Sequence, residues 1–116
     1  MSLQASGWAA SRVVGSPEAK LVLLLLASIA GPHGECWPDV EALAEYAEIS
    51  APRLEEALAL LASRGLICEV FSDPRMILLP VGGAAVLAAD PDRARLFFAD
   101  DLIARRVAAR HCVRAG

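Results

Sequence analysis

Apolar and polar residues along this chain fall into segments with different periods. From Leu21 to Ala30 it is almost continuously apolar, Leu-Val-Leu-Leu-Leu-Leu-Ala-Ser-Ile-Ala. A helix apolar on nearly every side must be covered on several sides, so this segment is expected at the centre of the fold. Ser16-Pro17-Glu18 supplies its start: a capping hydroxyl, a proline at the first helical position and a carboxylate at the positive end of the dipole. Gly31-Pro32-His33-Gly34 stops it in a turn, and Glu35-Cys36-Trp37 then reads as a short extended piece.

The next segments carry helical spacing. Val40, Leu43, Ala44 and Ala47 share one face of a helix that Asp39 can cap. Glu48-Ile49-Ser50 is a tight turn, with Ile49 as an apolar plug between two helices. Ser50 caps a third helix from Ala51 to about Arg64, whose inner stripe is Leu54, Ala57, Leu58 and Leu61, and Gly65 ends it. After Gly65 the spacing changes to that of strands. Leu66 to Phe71 and Met76 to Leu79 read as a hairpin around the turn Ser72-Asp73-Pro74-Arg75. Val81 to Ala89 is a Gly-Ala-rich connector, and Asp90-Pro91-Asp92 opens a long helix expected from Pro91 to about Cys112. Residues 1–15 read as a flexible arm with Trp8 as a hydrophobic anchor, and the chain shows no internal repeat.

Composition narrows this. With 116 residues, 56% hydrophobic and 22% charged, the chain has the length and apolar content for one domain with a core. Ala and Leu dominate while aromatics are 5%, which favours helix; with Glu35-Cys36-Trp37 able to join the hairpin as a third strand, the expected fold is mainly α with a small antiparallel β-sheet. The apolar run is too short for a bilayer span, which takes about 20 residues, and it lacks the basic start of an export signal, so a cytoplasmic protein is expected. Cys36, Cys68 and Cys112 are odd in number and scattered, which excludes a disulfide framework. His33/Cys36 and His111/Cys112 are too sparse to argue for zinc, and no metal or other cofactor is expected. Gly82-Gly83 lacks the rest of a phosphate-binding fingerprint, and no nucleophile–base arrangement is visible, so the chain is not expected to be an enzyme.

Lys20-Leu21 with the leucine run, Gly34-Glu35-Cys36-Trp37-Pro38-Asp39, Leu43-Ala44-Glu45-Tyr46-Ala47-Glu48-Ile49-Ser50 and Leu61-Ala62-Ser63-Arg64-Gly65-Leu66-Ile67 stand in a definite order. In that order they resemble the winged helix-turn-helix domains of bacterial and phage regulators and replication-initiator-type proteins, over about residues 16–80. The resemblance implies a winged helix-turn-helix plus a C-terminal helix, with residues 51–64 as recognition helix and 72–75 as wing. Double-stranded DNA is the implied partner. Ser50 and Arg53 would lie at the groove and Arg75 would touch backbone from the wing.

Charge pulls the other way. The net charge is −3 and the isoelectric point about 5.3. Over residues 38–79, Arg53, Arg64 and Arg75 face eight carboxylates, an acidic surface for a phosphate binder. The outward face of helix 51–64 is expected to show Arg53, Glu56, Leu60 and Ser63. Arg106, Arg110 and Arg114 form a basic ridge at four-residue spacing, and Arg106 and Arg110 are candidate phosphate contacts. Phe97, Phe98 and Leu102 exceed what one helix face buries. Together with Leu60 they are candidate interface residues, most simply of a homodimer. Two functions follow: a DNA-binding transcription regulator or replication-associated factor of a bacterium or phage, or a winged-helix protein-interaction and oligomerisation module that does not bind DNA.

Overall fold

In a computed structural model the backbone is described over residues 3–115 and the side chains over 3–109. The chain runs α1 (Leu3–Ser11), α2 (Pro17–Ile29), β1 (Glu35–Cys36), α3 (Val40–Ala47), α4 (Ala51–Ser63), β2 (Cys68–Ser72), β3 (Arg75–Leu78), α5 (Ala84–Ala88), α6 (Pro91–Phe97) and α7 (Ala99–Ala115). The result is mostly helical, with one three-stranded antiparallel sheet of order β1-β3-β2.

Helix α2 is the hub. Ser16 Oγ accepts from the Ala19 amide at 3.2 Å and opens it. Its Val22, Leu23, Leu26 and Ala27 are fully buried, and α1, α3 and α4 all pack on it. The N-terminal arm is therefore not loose, as the sequence suggested. Ala5 and Ala9, one helical turn apart, are buried against the main core, and Trp8 packs half-buried beside them. Small side chains at that spacing let α1 lie close to α2, a pattern hidden by the glycine and serines around it. The Lys20 ammonium donates to the Ala10 carbonyl at 2.8 Å and to that of Arg12, placing a cation at the negative end of α1.

The helix-turn-helix unit follows from its caps. Asp39 Oδ1 accepts from the amides of Glu41 and Ala42 at 3.1 and 3.3 Å, and starts α3. Glu48 ends it in the left-handed region at φ 57°, a conformation that disfavours any side chain. Ile49 then turns inward onto the core. Ser50 Oγ accepts from the Arg53 amide at 3.4 Å and opens α4, whose Leu54, Ala57, Leu58 and Leu61 are buried as the spacing predicts. Gly65, at φ +70°, reverses the chain after α4 and leads toward the hairpin.

Strand β3 is the centre of the sheet. Glu35 and Cys36 pair with Leu78 and Ile77 on one side, and Cys68 to Ser72 pair on the other, with a bulge between Glu69 and Phe71. Alternation divides the strand between two cores. Ile77 joins the main cluster under α2 and α4, whereas Met76 and Leu78 join a second cluster with Val70, Ala84, Ala94 and Phe98. Part of the expected connector is thus helix α5, which seats Ala84 in that second cluster.

The long C-terminal helix of the sequence reading is two helices. The break falls at Phe98 (φ −100°, ψ 11°), whose ring is fully buried. At the break Phe98 inserts among Val70, Met76, Leu78, Ala84 and Ala94 behind the wing. Arg95 of α6 donates from Nε to the Val70 carbonyl at 3.3 Å, so α6 shields part of the free edge of β2 at its bulge.

Candidate nucleic-acid interface

The outer face of α4 carries exposed Arg53, Glu56 and Ser63, as the sequence reading expected. Leu60 does not belong to that face in the way supposed. It is half-buried and packs on the main core. Ser50 is exposed at the helix start, with its oxygen engaged in the cap.

Two of the cations expected at DNA, Arg53 and Arg75, are held by carboxylates. Arg53 Nη2 lies 3.0 Å from Glu18 Oε2 at the start of α2, with the arginine side chain 63% exposed. Arg75 lies 2.5 Å from Glu55 of α4 and 3.3 Å from Glu69 of β2, and its side chain is only 19% exposed. Burial disfavours its charge, but hydrogen bonds and attraction from Glu55 and Glu69 outweigh burial and lift the guanidinium above the usual arginine range. Arg75 therefore ties the wing to α4 in this structure. That corrects its expected place as a free backbone contact.

Helix α7 brings further cations to the wing. Arg106 Nη2 donates to the Asp73 carbonyl at 3.2 Å. The Arg105 guanidinium sits 4.7 Å from the centre of the Trp37 ring, which is itself stacked on Phe71 at 6.1 Å. Both arginines remain exposed. The Arg110 side chain lies outside the described residues.

The proposed partner residues separate. Phe97 is 53% exposed and meets His33 and Phe98 edge-on. Phe98 is wholly inside the chain's own second core, so it is not an interface residue, and Leu102 is half-buried. Sequence reasoning missed Glu18, Arg105 and Trp37. Glu18 is 35 positions from Arg53 and no local spacing announces the pair. Trp37 in an extended piece was visible, but its use as a platform for α7 depends on the bend at Phe98.

Between α3, β1 and α7 lies an open groove of about 730 Å³, lined among others by His33, Trp37, Asp39, Tyr46, Asp101 and Arg105. Among the described residues no group of three or more His, Cys, Asp or Glu is placed to hold a metal ion. No described helix is long and apolar enough to cross a membrane.

Residues 16–67, from the α2 cap to the start of the hairpin, match a family described as a helix-turn-helix domain. No curated protein and no solved structure matches the chain.

Proposed function

We propose that this protein binds double-stranded DNA through α4, because residues 16–67 match a helix-turn-helix domain family, a fold that in general serves DNA binding. The observation that carries the reading is the joint placement of α3, α4 and the wing. The N-terminal turn of α4 is exposed, Ser50 caps it, and the β2–β3 hairpin stands beside it through the Arg75–Glu55 bridge. In that arrangement α4 enters the major groove with Arg53 leading. Arg105 and Arg106, on the helix that crosses the wing, reach flanking phosphates, and Arg110 extends the same series. Arg75 acts from behind, holding the wing at its angle. The protein serves as a cytoplasmic transcription regulator or replication-associated factor of a bacterium or phage, and works as a homodimer.

A second reading has its own support. Arg53 and Arg75 are neutralised by carboxylates, and Glu55 and Glu56 are exposed on α4. Those features suit a winged-helix module that docks on protein and leaves DNA alone. One titration separates the two. Fluorescence anisotropy with a mixed-sequence duplex at low salt is followed as salt rises. Three phosphate contacts per protomer give a slope of log K against log salt of about −2.7, and a dimer about twice that. Absence of binding at low salt refutes the DNA reading and leaves the docking module.

A further inference from the structure

The groove between α3, β1 and α7 has a carboxylate in its floor. Glu35 of β1 is the one buried polar or charged residue among those described, only 9% exposed. A Cβ on Gly31 would stand 1.6 Å from Glu35 Oε1. Gly31 does not take a left-handed φ, so its missing side chain serves to make room for that carboxylate. Gly31, His33 and Glu35 all line the groove. The carboxylate receives little in return for its burial. The His33 amide reaches Oε1 at 3.5 Å, the outer limit of a hydrogen bond. Among the described residues Oε2 accepts no hydrogen bond and Glu35 has no ion pair. A carboxylate withdrawn this far from water is costly until a cation meets it.

The walls fit the body of such a cation. Ile29, Trp37 and Tyr46 are apolar or aromatic, and Ile29 and Tyr46 are exposed. Ala42 of α3 and Ala104 of α7 line the groove with small side chains that keep it open. Asp39 and Asp101 add two carboxylates, against one guanidinium, Arg105, which already lies over the Trp37 ring. The volume of about 730 Å³ falls in the range of small-molecule sites, about 300–1,000 Å³. We propose that this groove binds a small organic cation, an amine or amidine on a flat apolar body. Its charged end meets Glu35 and its body lies along Ile29, Trp37 and Tyr46. An anion faces three carboxylates here, and a neutral apolar molecule leaves Glu35 uncompensated, so charge selects among ligands of one shape. The occupant spans α3 and α7 and needs no DNA contact, so the site stands apart from the DNA reading.

The test titrates tryptamine into the full chain by calorimetry at low salt, with tryptophol and indole-3-acetate as neutral and anionic molecules on the same ring. One tryptamine binds per chain, about tenfold tighter than tryptophol, and indole-3-acetate binds more weakly still. Glu35→Gln keeps the shape of the side chain and removes its charge. It lowers tryptamine affinity about tenfold and leaves tryptophol unchanged. Ala104→Phe, at an exposed position of α7, fills the groove from its rim and weakens both, with its melting temperature in the absence of ligand that of wild type. Tryptamine also raises the melting temperature of the wild type, because it binds the folded chain alone. Saturable binding absent at millimolar tryptamine overturns the site. Equal affinity for the three ring compounds, or Glu35→Gln folding normally and binding tryptamine like wild type, overturns the role of charge. Tryptamine affinity untouched by Ala104→Phe places binding elsewhere and overturns the groove, whether or not Glu35→Gln folds.

Discussion

Arg53 has to leave Glu18 to reach a phosphate, which makes Glu18→Gln the most informative single change. The pair is 3.0 Å apart, with side-chain exposures of 63% for the arginine and 30% for the glutamate. Ion pairs this exposed are worth about 0.2–1 kcal/mol, so releasing Arg53 in advance tightens the DNA complex about 1.4- to 5-fold. Removing a carboxylate beside the incoming backbone adds in the same direction within a Debye length, about 10 Å at 0.1 M salt. Stability moves the other way. Glu18 occupies the first turn of α2, where its charge is worth about 0.3–1 kcal/mol against the helix dipole. A variant that binds DNA more tightly while melting earlier cannot owe its affinity to better folding.

The assay is a two-by-two set measured by duplex anisotropy at low salt: wild type, Glu18→Gln, Arg53→Ala and both together. Arg53→Ala weakens binding by about 1–3 kcal/mol if it reads a base, and less if it touches only backbone. In the Arg53→Ala background Glu18→Gln keeps only its small long-range effect. Equal gains in both backgrounds would falsify the competition between Glu18 and DNA for one guanidinium. A loss of affinity on Glu18→Gln refutes it more directly, because Glu18 then aims Arg53 at DNA.

Phe98→Ala, at a fully buried ring, costs about 3–5 kcal/mol in chemical denaturation. The adjacent Phe97→Ala, at a ring 53% exposed, costs less than about 1 kcal/mol. Equal losses contradict the difference in burial between the two rings. Glu48→Gly relieves a left-handed backbone at φ 57° and removes a negative charge from the C-terminal end of α3, and is expected to gain about 1 kcal/mol in urea unfolding. Burial, with Glu35 nearby, pushes the Cys36 thiol up to about 12 from its ordinary value of 9.0. The unfolded thiol ionises first, so stability is intact below about pH 9 and falls as pH rises toward 12, by at most about 1.4 kcal/mol per pH unit. Cys36→Ala removes that part of the alkaline slope. A slope unchanged in the variant assigns the alkaline loss to other groups.

The helix-turn-helix was legible because its signals are local. Ser16, Asp39 and Ser50 each cap the helix expected of them, the stripe of Leu54, Ala57, Leu58 and Leu61 faces inward, and Gly65 reverses the chain. What escaped depends on contacts between distant segments. Nothing in Leu3–Ser11 is strongly amphipathic, and its burial rests on two alanines that only the face of α2 makes meaningful. Asp90 to Ala115 keeps helical composition throughout, so the break at Phe98 is set by the second core and not by a glycine or proline. At the site, Arg53 and Arg75 were readable as cations on the right elements. Their occupation by Glu18, Glu55 and Glu69 was not, since those pairs join α2 to α4, α4 to the wing, and the two strands of the wing to each other.

The two bridges have different consequences for a DNA-bound state. Arg75 is 19% exposed and holds two carboxylates on separate elements, so withdrawing it releases Glu55 and Glu69 together and loosens the wing. Arg53 is 63% exposed and holds one. The cheaper exchange is at Arg53. On the proposed reading the protein therefore commits Arg53 to the ligand and keeps Arg75 as a brace. Every exchange still leaves an acid near the phosphates, which lowers affinity for any duplex that offers backbone alone. A site whose bases also engage the first turn of α4 offsets that loss, and one that does not is rejected. An acidic body is in this way compatible with DNA binding. It shifts the balance from non-specific affinity toward discrimination, at the expense of tight binding by a single protomer.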